Sequence, residues 1–294
     1  MTLPTFLGIG APKSGTTWLA KCLGEHPQVY MAPAKELVFF DYGDYDQRLP
    51  EYERHFAGVR SETAIGEFTT RYLASERPAP RIRELIPQAR LLVCLRNPAD
   101  QIYSHYWHLL RQNFHQPTVQ ADWTFEEALE RFPHLLLKPV RYWDQLQYWL
   151  GFFPAEQFLV LLYDDIQRTP EATLAKVFDF LGVDSTFVPP STTERGTAVR
   201  SGAAPRSTLA GRVHARVYTQ LNRWFYQPLK RSVGVRRAHQ LKEAIRIRHL
   251  LETVFFRRGY PAMNADTRKR LAREFADQVE GIEQFLGRTL GEWK

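Results

Sequence analysis

The feature that most constrains the chain is the run Gly10-Ala11-Pro12-Lys13-Ser14-Gly15-Thr16-Thr17-Trp18, set between an apolar segment at 5–9 and a segment of helical periodicity at 16–26. A strand that feeds a glycine-containing turn and then a helix leaves the first backbone N–H groups of that helix unpaired, with the positive end of its dipole facing the turn. Such a junction cradles an anion. Lys13 adds a cation to it, and Ser14, Thr16 and Thr17 add hydroxyl donors. Gly10 and Gly15 keep the glycine spacing of the common nucleoside-triphosphate loop. In that loop, however, a lysine follows the second glycine; here Thr16 follows it and the lysine comes earlier, which disfavours a kinase of the usual P-loop kind.

The segments that follow alternate in the same way. Residues 81–86 read as a short helix, 90–95 as a strand and 99–111 as a helix. A helix over 142–152, a strand over 158–162 and a helix over 171–181 continue the series, with Gly182 where a C-cap glycine belongs. This alternation predicts an α/β fold with a central parallel sheet flanked by helices. Residues 183–205, rich in Pro, Ser, Thr and Gly, read as a long loop. Beyond them the pattern turns wholly helical: Leu209, Val213, Val217, Leu221 and Phe225 form one apolar stripe, and Leu271, Phe275, Val279, Ile282 and Leu286 form another. The expected organisation is a single domain over 1–294, with an α/β core at 1–182, a loop at 183–206 and a helical C-terminal part at 207–294.

Composition matters through charge. The 294 residues include 39 Lys and Arg against 32 Asp and Glu, a net charge of +7. Residues 195–258 alone hold 15 basic and 2 acidic side chains, a local +13, so the remainder is −6. Trp224, Phe225 and Tyr226 interrupt this basic tract, which reads either as a solvated helical face or as a surface for an acidic acceptor or for peripheral contact with an anionic membrane. It contains no known nucleic-acid motif, and no nucleic-acid partner is expected. No apolar run approaches the roughly 18 residues of a transmembrane helix, and the first residues lack the layout of a signal peptide, so the expected compartment is the cytoplasm. The two cysteines, Cys22 and Cys94, suit a reducing compartment and read as core residues. His26, His105, His108 and His115 read as helix or loop residues without metal-ligand spacing, and no metal requirement is expected.

A second anion site is legible at Leu95-Arg96-Asn97-Pro98-Ala99. Arg96 ends a strand and therefore lies at the carboxyl edge of the sheet, where ligands of open α/β sheets bind; a structural ion-pair partner is the other reading. Asn97-Pro98 turns the chain into a helix, and Ser104 falls about a turn and a half into it. Two anion sites at neighbouring strand ends suit a nucleotide phosphorylated on both sides of its ribose.

These segments together resemble the sulfotransferases that use 3′-phosphoadenosine 5′-phosphosulfate (PAPS), over most of residues 5–182 and more loosely at the C-terminal helix. The run Pro12-Lys13-Ser14-Gly15-Thr16-Thr17-Trp18 is similar to their 5′-phosphosulfate loop, and the stretch from Leu95 to Tyr106 to their 3′-phosphate segment. The resemblance implies a P-loop-like sulfotransferase fold, with PAPS as cosubstrate and adenosine 3′,5′-bisphosphate as product. It implies that Lys13, Ser14, Gly15, Thr16 and Thr17 hold the 5′-phosphosulfate, and that Arg96 and Ser104 hold the 3′-phosphate. Trp18 by the same resemblance stacks on the adenine; a buried helix aromatic is the other reading.

Pro33-Ala34-Lys35-Glu36-Leu37-Val38-Phe39-Phe40-Asp41 resembles a segment of the glycan sulfotransferases whose glutamate is the catalytic base, a role that falls on Glu36. On chemistry alone Glu36 reads equally as a solvated edge residue. Gly66-Glu67-Phe68-Thr69-Thr70-Arg71-Tyr72-Leu73 is similar to the segment that lines their acceptor cleft, which makes Glu67 and Phe68 candidate acceptor contacts; Glu67 equally suits a structural carboxylate. Related glycan enzymes often carry a lysine where this chain has Phe68, and the Lys-Thr-His run of the cytosolic small-molecule branch is absent. Arg200 and Arg206 lie in a stretch resembling a loop folded over the nucleotide and are candidate phosphate contacts. The implied activity is transfer of a sulfuryl group to a hydroxyl or amine of a carbohydrate or small molecule. The rivals are a kinase, needing ATP and magnesium, and a catalytically silent anion-binding protein of the same fold.

Overall fold

The central sheet consists of β1 (Phe6–Gly10), β2 (Val29–Met31), β3 (Ala64–Phe68), β4 (Arg90–Leu95) and β5 (Phe158–Leu162), in the spatial order β2-β3-β1-β4-β5. Every pairing is parallel. All of β1 is buried, as is β4 apart from Arg90, the burial expected where crossover helices cover both faces. The chain passes from β1 to β2 and β3 on one side and then crosses to β4 and β5 on the other. Neighbouring β1 and β4 therefore mark the switch in strand order, and the crevice outside their carboxyl ends is where such sheets bind ligands.

The computed structural model describes residues 2–112, 123–192, 203–206 and 253–294, with single positions at 210, 213, 217, 220 and 224. Its helices are α1 (Thr16–Gly24), α2 (Leu49–Arg54), α3 (Pro78–Leu85), α4 (Pro98–Gln112), α5 (Phe125–Arg131), α6 (Pro133–Leu137), α7 (Tyr142–Leu150), α8 (Tyr163–Arg168), α9 (Pro170–Leu181), α10 (Ala265–Glu274) and α11 (Ala276–Leu286). On one side of the sheet, Leu19 and Leu23 of α1 share a core with Val177 and Phe178 of α9 and with Phe6 and Leu92 of the strands. Each such side chain, fully buried, contributes roughly 1.5–3 kcal/mol. Gly182 ends α9 at φ 74°, as its position in the sequence predicts.

The chain divides into two compact units. The first comprises Met1–Ile102, His134–Val199 and Ala265–Lys294, and so contains the whole sheet; the second comprises Tyr103–Pro133 and Arg200–Asn264. This differs from the linear division expected from the sequence, because the last two helices join the first unit. The reason lies in α11, whose Gln278 side-chain Oε1 accepts the backbone N–H groups of Trp143 (3.1 Å) and Asp144 (3.2 Å) in α7. Leu271, Phe275, Val279 and Ile282 of the second predicted stripe are buried there.

Nor is the region beyond 205 wholly helical. In the second unit β6 (Ala203–Pro205) pairs antiparallel with β7 (Phe256–Arg258), so the predicted loop ends in a strand. Most of the first predicted stripe and most of the basic tract 195–258 lie outside the described residues. Among the described residues, no helix is long and apolar enough to cross a membrane and no His, Cys, Asp and Glu group could hold a metal ion.

Candidate active site

The exit of β1 is shaped for an anion. Gly15, the N-cap of α1, has φ 90°, a left-handed conformation that glycine adopts without steric cost. Lys13, at φ 67°, also lies in that region. No side chain caps α1 and its first turn has no acidic residue, so its leading N–H groups and dipole are left for a ligand. The Ser14 side chain is fully buried, and its Oγ has no hydrogen-bond partner among the described residues. A buried hydroxyl left unpaired costs about 1–3 kcal/mol. Beside it, against the backbone of Arg96, lies the Tyr142 hydroxyl, which also lacks a well-formed hydrogen bond and whose pKa burial pushes up. An orphaned hydroxyl, an uncapped helix start and a lysine are a donor set that fits a phosphosulfate group.

The exit of β4 faces this loop. Arg96 follows the last residue of β4, and its guanidinium lies 4.5 Å from the ring centroid of Tyr163 and donates to the Lys13 carbonyl at 3.4 Å. Arg96 and the loop, the two anion sites read from the sequence, are thus neighbours. Asn97, read from the sequence as part of the turn into the helix, and Gln101, which was not singled out, hold the arrangement. Asn97 Oδ1 accepts the Asp100 N–H in the first turn of α4, and the fully buried Gln101 donates from Nε2 to the Pro12 carbonyl at 2.9 Å, fastening α4 to the loop.

Other sequence candidates have different surroundings. Trp18 is largely buried in the core, and its indole N–H donates to the Ser191 carbonyl at 3.2 Å, which matches the reading of a buried helix aromatic. Ser104 belongs to the second unit, where it is buried with its hydroxyl 3.3 Å from that of Tyr260. Arg206, in the same unit, is exposed and donates to the Thr253 carbonyl at 3.3 Å. Arg200 lies outside the described residues.

The exit of β3 is built from carboxylates and threonines. Glu36 is exposed, and its Oε1 accepts the Thr70 hydroxyl at 2.5 Å. Glu67 is completely buried and accepts from Thr69 Oγ1 (2.8 Å) and Tyr52 Oη (3.5 Å). Burial pushes its pKa up to about 7, assisted by the charge of Glu36 and opposed by these hydrogen bonds. Thr69 Oγ1 also accepts the Val38 N–H at 3.1 Å, tying the Glu36 segment to β3. The Glu67 and Phe68 side chains, expected to line the acceptor cleft, are both buried, so of Glu36 and Glu67 it is Glu36 that faces solvent. Lys35 was not singled out from the sequence. Its Nζ donates to Thr16 Oγ1 (3.2 Å) and Thr17 Oγ1 (3.3 Å) in the first turn of α1.

Residues 4–200 match the sulfotransferase domain family. The chain belongs to this family. It is 24% identical over 269 residues to the membrane-associated sulfotransferase kil1 of Dictyostelium discoideum, covering 63% of this chain and 57% of that protein. It is 30% identical over 198 residues to human bifunctional heparan sulfate N-deacetylase/N-sulfotransferase 2, covering 62% of this chain and 22% of that protein. The domain therefore spans little more than half of the first relative and about a fifth of the second. A crystal structure of a sulfotransferase from Alicyclobacillus acidocaldarius matches the whole fold, with TM-score 0.69, 25% identity and coverage of 100% of this chain and 99% of that one.

Proposed function

We propose that this domain transfers the sulfuryl group of PAPS to a hydroxyl or amine of a carbohydrate or small-molecule acceptor. The observation that supports the reading is the Arg96 guanidinium donating to the Lys13 carbonyl, which sets the exits of β1 and β4 side by side. Family membership and the heparan sulfate relative support sulfuryl transfer and a carbohydrate acceptor.

In this reading Lys13, the Ser14 hydroxyl and the leading N–H groups of α1 hold the 5′-phosphosulfate, and Arg96 holds the 3′-phosphate. The acceptor oxygen or nitrogen attacks sulfur in line and the bond from sulfur to the bridging phosphate oxygen breaks. Its electron pair stays on the phosphate, where Lys13 offsets the growing charge. Glu36, exposed and held by Thr70, takes the acceptor proton. A sulfonate carries less charge than a terminal phosphate, so lysine and backbone donors suffice where phosphoryl transfer uses magnesium.

Incubation of the full chain with sulfur-labelled PAPS and a panel of glycan and small-molecule acceptors tests the proposal. Label is expected to move to at least one acceptor with release of adenosine 3′,5′-bisphosphate. Transfer from ATP with magnesium, and none from PAPS, would establish the kinase instead.

A further inference from the structure

Lys35 lies in the segment between β2 and α2, yet its ammonium group is fixed on the first turn of α1 by the hydroxyls of Thr16 and Thr17. It also stands over the ring of the buried Phe68, 5.5 Å from the centroid. This placement is electrostatically odd for an ordinary surface lysine. The start of a helix is its positive end, and a cation there is opposed by the dipole unless an anion lies between them. Nothing acidic occupies the first turn of α1. Two positive elements converging at one point are the arrangement that binds a shared anion.

The next residue narrows which anion. Glu36 directly follows Lys35 and is pinned by Thr70. The backbone that carries Lys35 therefore carries the proposed base, while its side chain ends on the helix that carries the proposed phosphate site. In the reaction of the preceding section, on which this inference rests, the sulfuryl group occupies the interval between those two sites. We propose that Lys35 is a further catalytic residue, whose ammonium contacts the oxygens of the transferring sulfuryl group and aligns it for attack by the acceptor. Lys13 then serves the phosphate end of the breaking bond and Lys35 the sulfur end.

Adenosine 3′,5′-bisphosphate lacks the sulfuryl group and PAPS has it, so comparing the two nucleotides isolates this contact without an acceptor. Calorimetric titration of each into the wild-type chain, Lys35→Met and Lys35→Arg is the test. Lys35 is exposed, so its replacement leaves no cavity in the core. The expected result is that Lys35→Met loses about tenfold or more in PAPS affinity while its bisphosphate affinity stays within about twofold, and that Lys35→Arg recovers most of the loss. Equal loss for both nucleotides would reduce Lys35 to a structural support of the loop, and no loss for either would remove it from the site. Either result overturns the inference while leaving PAPS as the donor. A wild-type chain that takes up neither nucleotide would instead overturn the donor assignment, and this inference with it.

Discussion

The exits of β1 and β3 lie on adjacent strands of one sheet and are built from opposite chemistry. At β1 the chain gathers Lys13, the uncapped start of α1 and the ammonium of Lys35, with Arg96 reaching in from β4. At β3 it gathers two carboxylates, Glu36 and Glu67, held by Thr69, Thr70 and Tyr52. The hydroxyls serve different ends in the two places. Around Glu36 and Glu67 they are paired, donating to a carboxylate, whereas Ser14 Oγ makes no well-formed hydrogen bond among the described residues and has the Tyr142 hydroxyl beside it. One exit thus gathers acceptors with their donors, and the other gathers mainly donors. The contrast teaches that the sheet edge separates a cationic side from a carboxylate side, with the segment of Lys35 and Glu36 spanning both.

Three substitutions can break or sharpen this contrast. The largest effect is expected at Glu36. Glu36→Gln should lower sulfuryl transfer by about 10² or more while leaving affinity for adenosine 3′,5′-bisphosphate within about threefold, measured by steady-state transfer and by calorimetry. Near-normal transfer would remove the proton-holding role from the β3 side. A smaller effect on the opposite property is expected at Arg96. A hydrogen bond to a charged group is worth about 1.5–3 kcal/mol, so Arg96→Ala should weaken bisphosphate binding about 10–100-fold in the same titration.

The smallest effect is on stability, at Glu67. Its carboxyl titrates near 7 in the folded chain, against an ordinary value of 4.5. The folded state therefore binds the proton more tightly than the unfolded state does. The stabilisation is fully present below about pH 4.5 and is lost as pH rises through about 7. Glu67→Gln, always neutral, escapes that loss. Thermal melts should show the variant gaining on the wild type from pH 5 to pH 8, by an amount on the order of 2 kcal/mol. A difference independent of pH would mean that Glu67 is not the buried titrating group.

Local patterns exposed much of the fold. Strands at Arg90–Leu95 and Phe158–Leu162 end where their apolar runs end, and the helices at α1, α7 and α9 follow their periodicity to within a few residues. β2 went unread because three residues are too few to show a period, and β6 and β7 for the same reason. β3 contains Gly66 and a buried glutamate, which interrupt the apolar run that marks an inner strand. At the site, Lys13 and Arg96 were legible because each belongs to a strand-to-helix turn whose chemistry is local. The reach of Lys35 to Thr16 and Thr17, the Gln101 bond to Pro12 and the pairing of Glu36 with Thr70 join residues 18 to 89 positions apart, which no periodicity encodes. The C-terminal helices were recognised as helices, but their return to α7 depends on Gln278 meeting two backbone N–H groups, again a tertiary event.

The most direct measurement is calorimetric titration of the unmodified chain with adenosine 3′,5′-bisphosphate alongside adenosine 5′-monophosphate. A crevice that grips both ends of the ribose should take up the bisphosphate saturably and at least about tenfold more tightly, since one charge-assisted contact is worth that factor or more. Equal affinity for the two nucleotides, or no uptake of the bisphosphate, would contradict the joint action of the β1 and β4 exits.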